Sequence, residues 1–443
     1  MFTSNIEAVP EGRQGTLHHR IKWSACACLA AALLPFSAWA QQPALSLERA
    51  LELSAQQSRQ LVAGDAQVRS ARQMAVAAGQ LPDPALKLGL NNLPINGPDA
   101  FSLTNEFMTM RAIGVMQEFT RSDKRRARAA RYETEAELAQ AGHAMALASL
   151  RRDTALAWLE RHYLERTHEL LRLQRDEANL QVEGANASYR GGRGTQADVY
   201  AARSSLALID DRLQQLEQQI MTAKMRLVRW IGSAGNQNLA AAPDLNTIGL
   251  DPDRLDLQLQ SHPAIIVMDK QEALARAEVA IAQSEKQADW SAELMFSQRG
   301  PAYSNMVSIN FSVPLQVKQG VRQDRELGAK LALLDQVQAQ REEASRERVN
   351  ETQGWLQQWQ ADRKRLANYD QTLIPLAARR TQAALQAYRN GSPLTTVLEA
   401  RRQEIDTRLE RLRLETEAAT LWAQLNFLMP LIQSGQTPNA ACA

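Results

Sequence analysis

The sequence predicts a mainly α-helical protein in two structural repeats, with a small β part of four strands. Three observations carry that reading. First, Tyr189-Arg190-Gly191-Gly192, followed by Val199-Tyr200-Ala201 and Arg203, returns as Tyr388-Arg389-Asn390-Gly391, Leu398-Glu399-Ala400 and Arg402, at a constant offset of 199 residues. Second, a long run poor in glycine and proline leads into each copy and another leads out, so each copy reads as the tip of a helical hairpin. Third, short stretches of alternating apolar and polar residues recur at equivalent places in both halves.

Composition agrees. Only 5% of the 443 residues are aromatic, and Ala, Leu, Gln, Arg and Glu dominate, as in long helices. A net charge of +2 made of many mixed charges indicates neither a nucleic-acid binder nor an acidic tail.

The first 40 residues read as a secretory signal peptide. Arg20 and Lys22 precede an apolar run from Ala25 to Phe36, and Ala38-Trp39-Ala40 supplies small residues for cleavage before Gln41. Its removal takes away Arg13, Arg20 and Lys22 against Glu7 and Glu11, leaving a net charge of about +1. Cys26 and Cys28 leave with it, so only Cys442 remains, and neither an internal disulfide nor a cysteine metal site is expected. No later stretch is long and apolar enough for a transmembrane helix.

In chain order, Leu45 to Gln80 reads as one amphipathic helix with Ser46 as its N-cap, stopped by Leu81-Pro-Asp-Pro84. Residues 85–92 form a strand in which Leu86, Leu88 and Leu90 alternate with Lys87, Gly89 and Asn91. After a loop rich in Asn, Pro and Gly, a second strand spans 107–119, with poor alternation. From Ser122 to Tyr189 there is no proline, and two apolar rows, one through Leu156, Leu159 and Tyr163 and one through Leu150, Ala157 and Leu164, ask for neighbours on two sides. Past the tip, Val199, Leu206, Leu213, Ile220 and Leu227 recur every seven residues, the period of a left-handed supercoil. Gly232 ends that helix, and 233–254 read as a polar linker.

The second half repeats the plan. A helix starts at Ser261-His-Pro-Ala264, strands span 290–298 and 305–313, and a long helix from Gln323 to Tyr388 is expected to bend at Pro375. The repeats are 41–242, with its hairpin at 122–231, and 243–430, with its hairpin at 323–429. Residues 431–443 form a disordered tail.

Four strands of this length, apolar on one face and polar on the other, match the wall of a transmembrane β-barrel. Four cannot close one, and open edges are not tolerated in lipid, so several copies must contribute strands. Three copies give a 12-stranded barrel above a hollow α-helical coiled-coil barrel. The alternative for the strands is an ordinary soluble antiparallel sheet.

These features together resemble the TolC family of trimeric outer-membrane efflux channels. The resemblance spans about residues 45–429 and rests on the two tips and on the strand-to-helix junctions at Phe119 and Pro314-Leu315. Within the family, Leu81-Pro-Asp-Pro84, Asn92-Leu-Pro94 and Met108-Thr-Met110 with Gly114-Val-Met-Gln-Glu-Phe119 resemble the branch serving heavy-metal efflux of the cobalt–zinc–cadmium or copper–silver type. The resemblance implies a homotrimer in outer-membrane lipid, extending into the periplasm of a Gram-negative bacterium. It conducts passively what a periplasmic membrane-fusion adaptor and an inner-membrane RND-type pump deliver. It also implies that Tyr189, Arg190, Gly192, Gly194, Tyr388, Arg389, Gly391 and Ser392 form adaptor-docking tips, and that Asp198 and Glu399 lie at a periplasmic constriction.

Each residue has a plainer reading. The glycines permit backbone bends, and Asp198 and Glu399 are carboxylates near helix N-termini. Arg121, Lys124, Arg125, Arg126, Arg128 and Arg131 read as a solvated helix face, with lipid headgroups as the alternative. Met108, Met110 and Met116 are soft-ligand types that read first as filler on a strand. His162 and His168 do not share a helix face well. No nucleophile–base pair, phosphate loop or zinc spacing stands out, so the protein reads as a non-enzyme without cofactor. The competing functions are a drug or protein export duct of the same build, or a periplasmic coiled-coil adaptor or scaffold.

Overall fold

A computed structural model describes residues 44–251 and 254–428. The expected signal peptide and the tail at 431–443 lie outside them.

The chain enters at Leu45, which is buried and bridges in parallel to Leu239. Helix α1 (Leu47–Gln57) follows, N-capped by the Ser46 hydroxyl, which accepts from the Arg49 N–H at 3.2 Å. The single helix expected from Leu45 to Gln80 is two. Ser58 takes an extended conformation, and its hydroxyl accepts from the Leu61 N–H, so it caps a second helix, α2 (Arg59–Ala78). A serine that satisfies backbone donors with its own side chain offers the chain a way out of the helix.

Strands β1 (Ala85–Asn91) and β2 (Met110–Phe119) are antiparallel neighbours. The Asn- and Pro-rich loop runs through Thr109, which is fully buried and donates to the Asn92 carbonyl, so β2 begins three residues later than expected. Helix α3 (Ser122–Arg190) then runs 69 residues, about 100 Å at 1.5 Å per residue. It packs on α2, and farther along on α4 (Gln196–Ile231), whose Val199, Ile209, Leu213, Leu216 and Leu227 are buried. A 3-10 turn (Gly232–Asn236) ends α4.

The stretch read as a polar linker is part of the core. Leu239, Leu245 and Ile248 pack on the cluster around Trp158, Trp422 and Leu227, and Leu250 is inside it. Two tryptophans pin the belt: Trp158 Nε1 donates to the Leu45 carbonyl at 3.1 Å, and Trp422 Nε1 to the Thr247 carbonyl at 2.7 Å. Buried Arg161 donates to the Gly235 carbonyl at 2.7 Å.

The second repeat comprises α5 (Leu255–Gln260), α6 (Pro263–Ser284), β3 (Trp290–Gln298), β4 (Met306–Ser312), α7 (Gln323–Asn368), α8 (Ile374–Arg389) and α9 (Leu394–Asn426). Between α7 and α8, where the sequence predicts a bend, the regular helix is interrupted by a π-turn (Tyr369–Leu373), just before Pro375. Proline has no N–H for the regular ladder, and a wider turn absorbs the mismatch. Arg411 of α9 braces this turn, its Nε and Nη2 reaching both oxygens of Asp370 at 2.7 and 3.1 Å. The four strands form one antiparallel sheet in the order β1-β2-β3-β4.

Where the strands become helices, the halves are tied by charge. Lys124, 3% exposed, places its Nζ 2.9 Å from Asp289 and 3.0 Å from Glu285. Asp289 also accepts from the Arg121 N–H, Arg128 holds the other Glu285 oxygen, and Arg125 donates to the Thr120 and Gly79 carbonyls. The basic cluster read as a solvated face is therefore partly structural. Its acidic partners lie over 150 residues away, in the other repeat.

Burial works against the charged forms of all three groups. It is outweighed for Lys124 by its bonds to Asp289 and Glu285, for Asp289 by the Arg121 N–H and Lys124, and for Glu285 by Arg128 and Lys124, so the carboxyls titrate below their usual range and the ammonium above. Lowered carboxyls stabilise above their unfolded pKa and lose that contribution as pH falls through the folded one; a raised lysine loses its contribution only as pH rises past its own. Lys124→Ala should therefore cost about 3 kcal/mol near neutrality, by leaving Asp289 short of its counter-charge. In thermal unfolding, the gap between wild type and variant should shrink as pH falls below about 4. A gap that does not depend on pH would mean the lysine acts through packing alone.

Candidate functional site

Two regions at opposite ends of α3 have the geometry of functional surfaces: the hairpin tips and the sheet.

At the first tip α3 ends at Arg190. The Gly191 N–H donates to the Ala187 carbonyl, and the Arg193 and Gly194 N–H groups both reach the Ser188 carbonyl, at 3.0 and 3.1 Å. Gly192 has φ +71°, a left-handed conformation that a side chain disfavours. Thr195 then caps α4 in a reciprocal box: its Oγ1 accepts from the Asp198 N–H, and Asp198 Oδ2 accepts from the Thr195 N–H at 2.8 Å and from its hydroxyl at 2.7 Å. Asp198 is thus engaged in its own helix start. The Thr195 backbone and hydroxyl hold its carboxyl below the usual range.

The second tip is built differently. Gly391 has φ +99°, the Ser392 N–H donates to the Ala387 carbonyl, and Pro393 occupies the N-cap position, where no side chain accepts a hydrogen bond. Leu394 lies against Gly184 of α3, where an added Cβ would fall 2.5 Å from the leucine methyl, so the two tips sit side by side. Tyr189, Arg190, Tyr388 and Arg389 are exposed, with the tyrosines at 49% and 44%. Glu399 is also exposed and pairs with Arg402 at 2.9 Å. It borders an open groove of about 690 Å³ between α8 and α9, lined by Ala383, Ala384, Ala387 and Thr396. At the 199-residue offset, Asp198 corresponds to Val397 and Glu399 to Tyr200, so the two carboxylates are not repeat equivalents.

Behind the tips lies a polar layer that sequence reading missed. Glu404 is buried and held by Arg408 at 2.8 Å. Arg401 reaches Glu177 of α3 at 3.0 Å, and buried Gln174 donates to Asp406 at 3.1 Å. Burial disfavours the Glu404 carboxylate, but Thr381, Arg408 and Arg401 outweigh it and lower the pKa. These residues fall between the apolar heptad positions, where the pattern carries no sign of a partner.

The sheet is two-faced. Leu86, Val115, Leu294 and Ile309 stand in one cross-strand row, and Leu88, Ile113, Phe296 and Val307 in the next. These eight side chains are 44–72% exposed. At the helix-proximal end Phe119 stacks on Trp290 at 4.2 Å, with Phe311 beside it. The opposite face carries Lys87, Glu118, Glu293, Ser308 and Asn310, with Lys87 paired to Glu293 at 2.6 Å. Among the described residues neither outer edge, of β1 or of β4, has a strand partner. Apolar side chains also stand exposed on the helices, with Val62 and Val76 on α2, Leu331 on α7 and Met221 on α4.

Among the described residues no helix is long and apolar enough to cross a membrane, and no group of three or more His, Cys, Asp or Glu side chains is arranged to hold a metal ion. No family model and no curated protein matches the sequence. Solved structures do match the fold. The outer membrane protein VceC of Vibrio cholerae is similar with a TM-score of 0.69 at 19% identity, over 86% of this chain and 95% of that one. The Campylobacter jejuni CmeC outer membrane channel gives 0.72 at 12%, over 86% and 85%. The open state of the Neisseria gonorrhoeae MtrE outer membrane channel gives 0.63 at 14%, over 86% and 88%. At these identities the likeness establishes a shared fold.

The tips yield a direct test. Nothing crowds a Cβ at Gly391, so Gly391→Ala changes only the backbone, at a cost of about 1–2 kcal/mol for its positive φ. Amide exchange over residues 388–396 should accelerate while the global melting temperature holds. Unchanged exchange there would show that the tip relaxes without strain.

Proposed function

We propose that this chain belongs to the TolC family and is the outer-membrane duct of a tripartite export system. The observation that carries this is the sheet: four strands with one face apolar and uncovered, and both edges open, at one end of a helix about 100 Å long. Such a face suits lipid, and such edges are not tolerated there unless another copy pairs with them. β1 and β4 run in opposite directions, so β4 of one copy meets β1 of the next in the antiparallel sense already used throughout. Three copies make 12 strands, within the range of closed barrels. Exposed apolar side chains on α2, α4 and α7 suit the same ring closure among the helices. The fold shared with outer membrane channels supports the reading.

In this reading the helices form a periplasmic tunnel, and the two tips dock a membrane-fusion adaptor that links the duct to an inner-membrane RND-type pump. Tyr189, Arg190, Gly192 and Gly194 of one tip and Tyr388, Arg389, Gly391 and Ser392 of the other form the docking surface. The tips dock non-equivalently, because Gly191, Gly192 and Gly194 loosen the first, ahead of its capping box, while Pro393 stiffens the second. Glu399, and to a lesser degree Asp198, line the periplasmic constriction, where a ring of carboxylates attracts cations. Heavy-metal cations are the proposed cargo, on the strength of the sequence resemblance.

The protein should pellet with outer membranes and run as a trimer on gels unless boiled. Recovery wholly in the soluble periplasmic fraction would sink the duct and favour a coiled-coil adaptor or scaffold. In planar bilayers, Glu399→Ala should raise single-channel conductance. Asp198→Asn should change it less, because that carboxylate already serves the Thr195 cap. Unchanged conductance and cation preference in Glu399→Ala would remove it from the constriction. Deletion of the gene should sensitise cells to Cu, Zn, Co or Cd salts and not to drugs; the reverse pattern would assign a drug duct.

A further inference from the structure

The polar face of the sheet carries four residues that a water-filled duct does not call for. Strand parity and register place Met110, Met116, Met295 and Met306 all on it, four of the chain's 12 methionines. Packing does not account for them. The residues beside Met295 on this face are Gly114, Glu293, Ser297 and Ser308, none of which offers an apolar surface to fill. Met306 is 41% exposed, and Met116 and Met295 are half-buried.

Three of the four form a diagonal. Met116 stands opposite Glu293, one pleat step from Met295; Met295 stands opposite Ser308, one step from Met306. Diagonal neighbours on one face are about 7–8 Å apart, and closer between Cβ atoms. Methionine is unbranched with three rotatable bonds, so two sulfurs can turn toward one point between them. Met295, the shared member, borders Gly114, where an added Cβ would fall 3.3 Å from its own Cβ and 2.7 Å from the Leu294 carbonyl oxygen. Gly114 is itself buried, so glycine there lets β2 and β3 approach closely beside Met295. Glu293, the carboxylate of the row, is already neutralised by Lys87 at 2.6 Å. The donors left free are uncharged, polarizable sulfurs, which prefer soft monovalent ions to hard divalent ones.

We infer that Met116 with Met295, and Met295 with Met306, form two overlapping thioether sites for a soft monovalent cation, Cu(I) or Ag(I), on the inner wall of the barrel. The inner placement rests on the duct reading; the pairing of the methionines rests on the register alone. The two sites share a ligand, so an ion passes from one to the other by exchanging one sulfur at a time, and the wall holds it without trapping it.

The test uses the full-length protein in nanodiscs, in a background with Cys26, Cys28 and Cys442 all changed to serine, so that no thiol remains. It is titrated calorimetrically with silver nitrate in chloride-free buffer, which avoids copper redox chemistry. Saturable binding is expected. Met295→Leu, which keeps volume and apolarity, should weaken it by about tenfold or more, since both sites lose a ligand. Met225→Leu, at an exposed methionine on α4, should leave it unchanged. No saturable binding, or Met295→Leu binding silver as the parent does, overturns the inference. A separate readout covers the duct: Met295→Cys in the same background should react with a charged, membrane-impermeant thiol reagent. Labelling without silver binding removes the metal site and leaves the duct standing. No labelling removes the water-lined face, and both readings fall.

Discussion

The strand-to-helix transition of the first repeat and the helix-to-strand transition of the second meet at a single buried ammonium. Lys124 sits in the first turn of α3 and takes its counter-charges from Glu285 and Asp289, just before β3. An isolated charge so deeply buried is costly, and the pair tolerates burial only because its hydrogen-bonding positions are filled. Asp289 accepts from the Arg121 backbone as well as from Lys124, and Arg128 completes Glu285. The node therefore fixes the start of the 69-residue helix relative to the end of α6, and with it the register of β2 against β3. The sheet is one sheet, and not two hairpins, because β2 and β3, one from each repeat, pair antiparallel from Arg111–Gln298 to Phe119–Trp290, beside this node.

From that junction the two ends of the molecule take on opposite characters. Above it, backbone hydrogen bonding is completed between strands and the side chains sort by parity, apolar to one face and polar to the other. Below it, helices complete their own backbone bonds and side chains are free to decide neighbours. Trp158, Trp359 and Trp422 build a dry belt with the chain segments around Leu45 and Leu250. Nearer the tips the core thins to a smaller aliphatic cluster and a polar layer of buried Gln174 and Glu404 with half-buried Asp406. A region held by ion pairs and hydrogen bonds rearranges more readily than one held by packed tryptophans. Conformational change is therefore easier toward the tips than at the belt.

The tips arise from one duplicated motif and have diverged in how they end a helix. Three glycines and a Thr195–Asp198 box shape one; Asn390, Gly391 and Pro393 shape the other. The two tips present different backbones, although the exposed tyrosine and arginine recur. The methionine diagonal at the far end sets a second boundary on function. There the polar face of the sheet presents sulfur where serine or asparagine would serve.

Much of this was legible in the residues. The 199-residue offset, the proline-free run into Tyr189, the heptad row from Val199 to Leu227 and the alternation of Val307, Ile309 and Phe311 each follow from local periodicity, which survives in a single sequence. The break at Ser58 and the late start of β2 were not legible, because each depends on where a side-chain or backbone hydrogen bond is spent. The burial of Lys124, the packing of the supposed polar linker and the clustering of Met116, Met295 and Met306 depend on residues far apart in the chain. The alternation of β2 looked poor because Met, Ala and Gly stand on its polar face, and only pairing with β3 reveals which face that is. The sequence by itself determined which segments are helix and which are strand, because periodicity and chain breakers are local. The tertiary structure alone decided which charges are buried, how each tip closes and which side chains share a face, because those depend on register.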